Sequence, residues 1–107
     1  MANGRLGAST LGAASNTTVY TCPADTFAVV TVNLVNRSTT SRDVRVAVAT
    51  SGSPSTAEYI EYDVELLANG VLERTGIVLS AGQRIVCYAN STDTNAVVYG
   101  IETSTAA

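Results

Sequence analysis

The residues with the clearest chemical potential are three carboxylates at alternate positions, Glu61, Asp63 and Glu65. On a β-strand, alternate side chains share one face and lie about 6.5–7 Å apart. A pair of glycosidase carboxylates or a calcium site could use that spacing. It is also typical of a solvated strand face whose carboxylates pair with arginines on neighbouring strands and prevent edge-to-edge aggregation. We favour this second interpretation. The candidate partners are Arg42, Arg45 and Arg74.

Other reactive side chains are scarce. The chain has no His and no Lys, so Ser-His and Cys-His nucleophile pairs and Schiff bases cannot be built. A calcium loop would need its ligands bunched around a glycine turn, and no such pattern is present. We therefore expect no catalytic residue, no metal site and no cofactor. The six Arg are dispersed and the net charge is -3, which does not favour nucleic-acid binding.

The cellular setting follows from the apolar segments and the cysteines. The longest apolar runs are strand-sized, far below the roughly 20 residues that span a bilayer. Residues 1–11 contain one Arg and no apolar core segment, so we expect no secretory signal and no membrane role. In a reducing cytoplasm, Cys22 and Cys87 are expected to be free, buried thiols, with a disulfide as the alternative.

Strands must position these side chains, because Val, Ile and Thr supply 33 of the 107 residues. The alternation is clearest between Thr26 and Asn36, and we expect the upper half of this strand to be buried on both faces, as a central strand would be. Weaker alternation between polar turns predicts six more strands. They cover residues 16–22, 44–49, 60–67, 71–79, 83–89 and 96–103. The turn before the fifth strand is an Asn69-Gly70 hairpin signal.

Seven short strands separated by frequent turn signals predict one all-β domain. We expect a single antiparallel β-sandwich of seven or eight strands, either immunoglobulin-like or jelly-roll. Its predicted core consists of inward-facing residues from the strands above. They are Val30, Val32, Leu34, Val46, Val64 and Ile85.

The first fifteen residues have a different composition, of Gly, Ala, Ser, Thr and Asn with few apolar residues. We predict an extended N-terminal arm over residues 1–15, followed by the sandwich domain over residues 16–107. The arm could lie in a groove of a partner, with Leu6 and Leu11 as anchors and Arg5 paired with a carboxylate. The alternative is a disordered terminus.

The surface composition bears on function. Only 14% of the residues are charged, which suits a subunit that is immobilised in an assembly better than one that diffuses freely. The five Tyr are spread over several strands, where a tyrosine usually packs into the core with its hydroxyl at the rim. An exposed cluster of Tyr or Asn would instead favour a receptor- or glycan-binding module.

Three stretches carry a resemblance to a known group: residues 68–83 (ANGVLERTGIVLSAGQ), the opening Gly4-Arg5-Leu6-Gly7, and residues 16–21 (NTTVYT). Over residues 4–102 the chain resembles small virion structural proteins of tailed bacteriophages, particularly cyanophages. The resemblance implies no enzyme, metal or cofactor, and it transfers no functional residue.

The resemblance and the composition together favour a capsid decoration or cement subunit that binds the major capsid protein and stabilises the shell. The alternative is a module associated with the tail, collar or fibre, with glycan or receptor binding as one role. The expected partners are capsid or tail proteins and further copies of the chain. We expect the protein to be made in the host cytoplasm and located in the virion.

Overall fold

A computed structural model describes residues 2–105 of the chain. The described part contains eight strands and one short 3₁₀ helix, and none of its helices could span a bilayer. The strands are β1 Asn3–Thr10, β2 Ser15–Thr21, β3 Thr26–Asn36, β4 Arg42–Ala49, β5 Tyr59–Leu66, β6 Val71–Leu79, β7 Arg84–Ala89 and β8 Thr94–Ser104, with the 3₁₀ helix at Thr56–Glu58 between β4 and β5.

The strands form two four-stranded sheets that pack face to face. The first sheet has the order β1-β8-β3-β6 and the second the order β2-β7-β4-β5, and the paired strands are antiparallel. The prediction of an all-β antiparallel sandwich is confirmed. Within residues 2–105, only β4 and β5 are neighbours both along the chain and in a sheet.

The core lies between the sheets and is built from their inward-facing rows. Five of the six predicted core residues are at most 1% exposed, and Val64 packs against the core while partly buried. In β3 the burial alternates along the whole strand, which confirms the two-residue period seen in the sequence. Cys22 and Cys87 are both free and buried, as predicted.

Within the predicted N-terminal arm, residues 3–10 form a strand of the first sheet, so the prediction that this segment is separate from the sandwich was wrong. Strand β1 pairs with β8 from Asn3 opposite Ile101 to Thr10 opposite Asn95. A bulge between Arg5 and Gly7 interrupts its alternation, which hid the strand period in the sequence.

The small residues of β1 allow a close approach to the chain's own β2 rather than to a partner. A Cβ placed on Gly7 would lie 2.2 Å from the carbonyl oxygen of Val19. Leu6 packs against the core, and Leu11 is 1% exposed. Burial of these leucines therefore anchors β1 to its own domain.

The predicted carboxylate row on β5 is broken by a bulge. Val64 lies opposite Val44 and Glu61 lies opposite Val46, so β5 covers three residues where β4 covers two. Asp63, within this stretch, has a φ of 52°. The extra residue reverses the alternation, so Tyr62 turns outward and is 57% exposed. The prediction that three carboxylates share one face was wrong.

Candidate interaction surfaces

Three connections between strands form one cross-linked end of the sandwich. They are residues 37–41, 67–70 and 90–93, and we call them the loop end. Backbone hydrogen bonds join them: Asn69 N donates to Ser38 O at 3.0 Å, and Arg37 N donates to Asp93 O at 2.9 Å. Loops held by a rigid scaffold are where binding residues concentrate in most folds.

The buried side chain of Asn36 ties two of these connections together. Its Nδ2 donates to the carbonyl oxygens of Thr40 at 2.8 Å and of Leu66 and Leu67 at 3.2 Å. Its Oδ1 accepts from both the backbone N and the Oγ of Ser38 at 2.9 Å. A buried amide is stable only when its polar atoms are paired, so these bonds fix the two loops relative to β3.

An ion pair ties the third connection to β4. Arg42 binds Asp93 with both ends of its guanidinium fork, Nε to Oδ1 at 2.8 Å and Nη2 to Oδ2 at 3.0 Å. This hydrogen bonding lowers the pKa of Asp93 to about 2. Arg37 adds a bond from its Nε to Asn95 Oδ1 at 3.2 Å. The loop end is therefore held by side chains as well as by backbone.

Two large apolar side chains project from this polar end. Leu67 is 67% exposed and Val71 is 59% exposed, on the two sides of the Asn69-Gly70 turn. Asn69 has a φ of 57° and Gly70 N donates to Leu67 O at 2.8 Å, so the chain makes a tight turn here. The turn joins strands of different sheets, so the prediction of a hairpin was wrong. Leu67 and Val71 are thus held out into solvent by a rigid support.

The outer face of the first sheet carries a second apolar surface. Val78, Val29 and Ile101 lie directly opposite one another on β6, β3 and β8. Phe27 lies beside them on β3, and we call these four residues the apolar band. Val78 is 63% and Ile101 52% exposed. The outward face of an antiparallel sandwich is expected to be polar, so this band is a candidate contact surface.

The outer face of the second sheet carries a tyrosine cluster. The guanidinium carbon of Arg45 lies 4.2 Å from the ring centre of Tyr62 and 4.3 Å from that of Tyr88. Tyr59 meets Tyr62 edge-on, with 5.0 Å between ring centres. Asp63 holds Arg45 through bonds of 2.6 and 3.4 Å and raises the pKa of the guanidinium. Bound between two rings, Arg45 keeps Tyr62 in place.

The carboxylates singled out in the sequence are distributed between separate partners. Asp63 pairs with Arg45, and Glu61 pairs with Arg74 across the edge where the two sheets meet. Both arginines were predicted partners, which is confirmed, whereas Arg42 pairs with Asp93 instead. Residues 2–105 contain no group of three or more His, Cys, Asp or Glu that could hold a metal ion.

The residues of the arm that were predicted to bind a partner lie in different environments. Leu11 lies in the chain's own core and Leu6 packs against it while partly buried, so their assignment as partner anchors was wrong. Arg5 is exposed, lies opposite Tyr99 of β8, and forms no ion pair with any described residue. Its pairing with a carboxylate of a partner stays a prediction.

Sequence reasoning missed the loop end and the apolar band. The band had a visible signal, because Phe27 and Val29 form the outward row of β3, but that row was interpreted as the second buried face of a central strand. The loop end had little signal, since nothing local marks Asn36 as the residue that joins two distant loops.

Comparisons with known proteins assign no function to these surfaces. The chain matches no protein-family model, and neither the curated proteins nor the solved structures contain a match to it.

Proposed function

We propose that the chain is a non-enzymatic virion structural protein of a tailed bacteriophage, of the kind found in cyanophages, and acts as a capsid decoration or cement subunit. It binds the major capsid protein and stabilises the shell, without metal or cofactor. The loop end carries the proposal: Leu67 and Val71 are exposed on a support that hydrogen bonds and an ion pair hold rigid.

The strand order supports this role at the level of the fold. An immunoglobulin-like domain arranges its strands as four and three, or with added edge strands. The orders β1-β8-β3-β6 and β2-β7-β4-β5 instead fit an eight-stranded jelly roll, an architecture used by viral capsid domains and by lectins. Because one fold serves both kinds of protein, the choice between them depends on the surfaces.

Attachment through the loop end is favourable for two physical reasons. Burying an aliphatic side chain such as Leu67 or Val71 contributes about 1.5–3 kcal/mol. The support is already ordered, so little conformational entropy is lost on binding. The partners are capsid proteins and further copies of the chain in the assembled virion, after synthesis in the host cytoplasm.

The proposal is tested by binding to phage shells that lack the protein. Leu67→Asn combined with Val71→Asn should abolish co-sedimentation with shells, because the apolar contact is lost. Tyr62→Asn, at a position on the second sheet that is also more than half exposed, is the matched control and should bind normally. The Leu67/Val71 variant should keep the wild-type melting temperature.

Cryo-electron microscopy of the intact particle supplies the independent readout. Density for the sandwich on the capsid, with its loop end against the shell, is the expected result. Full occupancy by the Leu67/Val71 variant, or density on the tail alone, contradicts the proposal.

A second candidate function is favoured by the tyrosine cluster: a tail, collar or fibre module that binds a glycan or receptor. Tyr62 offers an exposed aromatic surface, and Arg45 and Asp63 place hydrogen-bonding groups beside it. Here saturation-transfer NMR with host surface polysaccharide should show contact. Tyr62→Asn should remove that signal while the Leu67/Val71 variant retains it, the reverse of the pattern expected for a decoration subunit.

A further inference from the structure

The apolar band is separate from the loop end and needs its own explanation. Three of its side chains form a continuous row across β6, β3 and β8, and two of them are more than half exposed. Phe27, at 37% exposure, extends the row along β3. Contiguous exposed apolar surface marks an interaction site.

Charges of opposite sign lie at the two edges of the same face. Arg5 is on β1 at one edge and Glu73 is on β6 at the other. The hydroxyl of Tyr99 donates to Glu73 Oε2 at 2.8 Å and so holds this carboxylate on the outer face. Arg5 has no ionic partner within residues 2–105.

We infer that this face binds a second copy of the chain, through a two-fold axis parallel to the strands. Such an axis exchanges the left and right halves of the sheet. It places β8 of one copy over β3 of the other, so that Ile101 meets Val29 of the second copy. It also places β1 over β6, so that Arg5 meets Glu73, and symmetry makes each contact twice.

The register along the strands is compatible with this ion pair. Arg5 lies at the level of Tyr99 and Thr31, and Glu73 lies at the level of Asn33. Two residues along a strand correspond to about 7 Å, which an extended arginine side chain can bridge. Two sheets that pack face to face keep their strand directions within about 30° of each other, so β1 of one copy stays over β6 of the other.

Charge also favours a second copy as the occupant. The chain has a net charge of -3, and most of its surface would repel another copy. This face carries charges of opposite sign at its two edges, Arg5 on β1 and Glu73 on β6, which is the self-complementary arrangement that a two-fold interface needs.

The size of the face predicts a weak dimer. Four strands about 4.8 Å apart and about seven residues long give a footprint of roughly 400 Å² per copy. Both copies together then bury somewhat less than the roughly 1,200 Å² of a standard interface. We therefore expect association that depends on concentration rather than a permanent dimer. As a statement about assembly, the inference rests on the proposed virion role.

Sedimentation velocity of the isolated full chain, from about 1 µM to about 1 mM, tests the dimer. The wild type should shift from monomer to dimer with increasing concentration. Ile101→Glu should remain monomeric throughout, because it places charge in the centre of the apolar band. Leu67→Glu is the matched control: it should dimerise normally yet fail to bind shells, so the dimer and the proposed function can fail independently.

A charge exchange tests the two-fold geometry. Arg5→Glu alone and Glu73→Arg alone should each weaken dimerisation by about tenfold, since each brings like charges together twice. The double variant should restore wild-type association. A wild type that is monomeric at every concentration, a dimer insensitive to Ile101→Glu, or a double variant without recovery would each overturn the inference.

Discussion

The buried hydroxyl group of Thr94 allows the effect of one unpaired polar atom on the free energy of unfolding to be tested. Thr94 is fully buried at the start of β8, and its Oγ1 has no hydrogen-bond partner among residues 2–105. Thr94→Val keeps the shape of the side chain and removes the unpaired group. We expect this variant to be up to about 1 kcal/mol more stable than the wild type in chemical denaturation.

The reciprocal change on the same strand is the control. Val98 is fully buried on β8, and Val98→Thr introduces a hydroxyl among apolar side chains. It should lower the free energy of unfolding by about 1–3 kcal/mol. A marked loss of stability in Thr94→Val would show instead that the hydroxyl is satisfied in solution by an ordered water molecule.

At single residues, the sequence was informative wherever one face of a strand is fully buried. The core valines and both cysteines follow from alternation and small apolar size, and burial raises the pKa of the Cys87 thiol to about 12. Tyr62 could not be placed in the same way. Its orientation depends on a bulge at Asp63, which has a positive φ although it is not glycine. No glycine or other residue type in the sequence therefore indicates the bulge.

Strand β1 shows why a segment of small residues was misinterpreted. Its backbone passes close to β2, and only glycine leaves room at the contact between Gly7 and Val19. A strand chosen for small size lacks the β-branched residues by which strands are recognised. Its pairing partner β8 lies at the other end of the chain, so no local pattern indicates it.

Gly7→Ala tests this account of β1. The new methyl group would meet a backbone oxygen, which cannot move aside as a side chain can, so β1 must shift away from β2. We expect a loss of about 1–3 kcal/mol in unfolding free energy. Hydrogen exchange should show faster exchange of the amides that join β1 to β8.

Gly52→Ala is the control for Gly7→Ala. A Cβ at Gly52 would lie 3.6 Å from Oγ1 of Thr18, an ordinary contact, so its stability should change by less than about 0.5 kcal/mol. Equal stability of the two variants would mean that β1 does not pack against β2.

For the whole molecule, the sequence predicted the class of fold but not the order of the strands. Alternation and turn signals are local, and they are the same in an immunoglobulin-like sandwich and in a jelly roll. The order depends on pairings between distant segments: the first strand pairs with the last, and β3 lies between β8 and β6. These pairings depend on how both sheets share one core, which no single segment encodes.

This strand order predicts slow folding, which is measurable. Nearly every strand must find a neighbour that is distant along the chain, so loop-closure entropy is lost before the sheets gain their contacts. We expect refolding in roughly milliseconds to seconds, in the range of other all-β domains. Stopped-flow tyrosine fluorescence suits the measurement, since the chain has five Tyr and no Trp.

Because β1 completes the first sheet only against β8, no stable sandwich should form until residues 94–104 are present. A chain ending at residue 93 that still gives a cooperative unfolding transition would contradict this, as would refolding within microseconds.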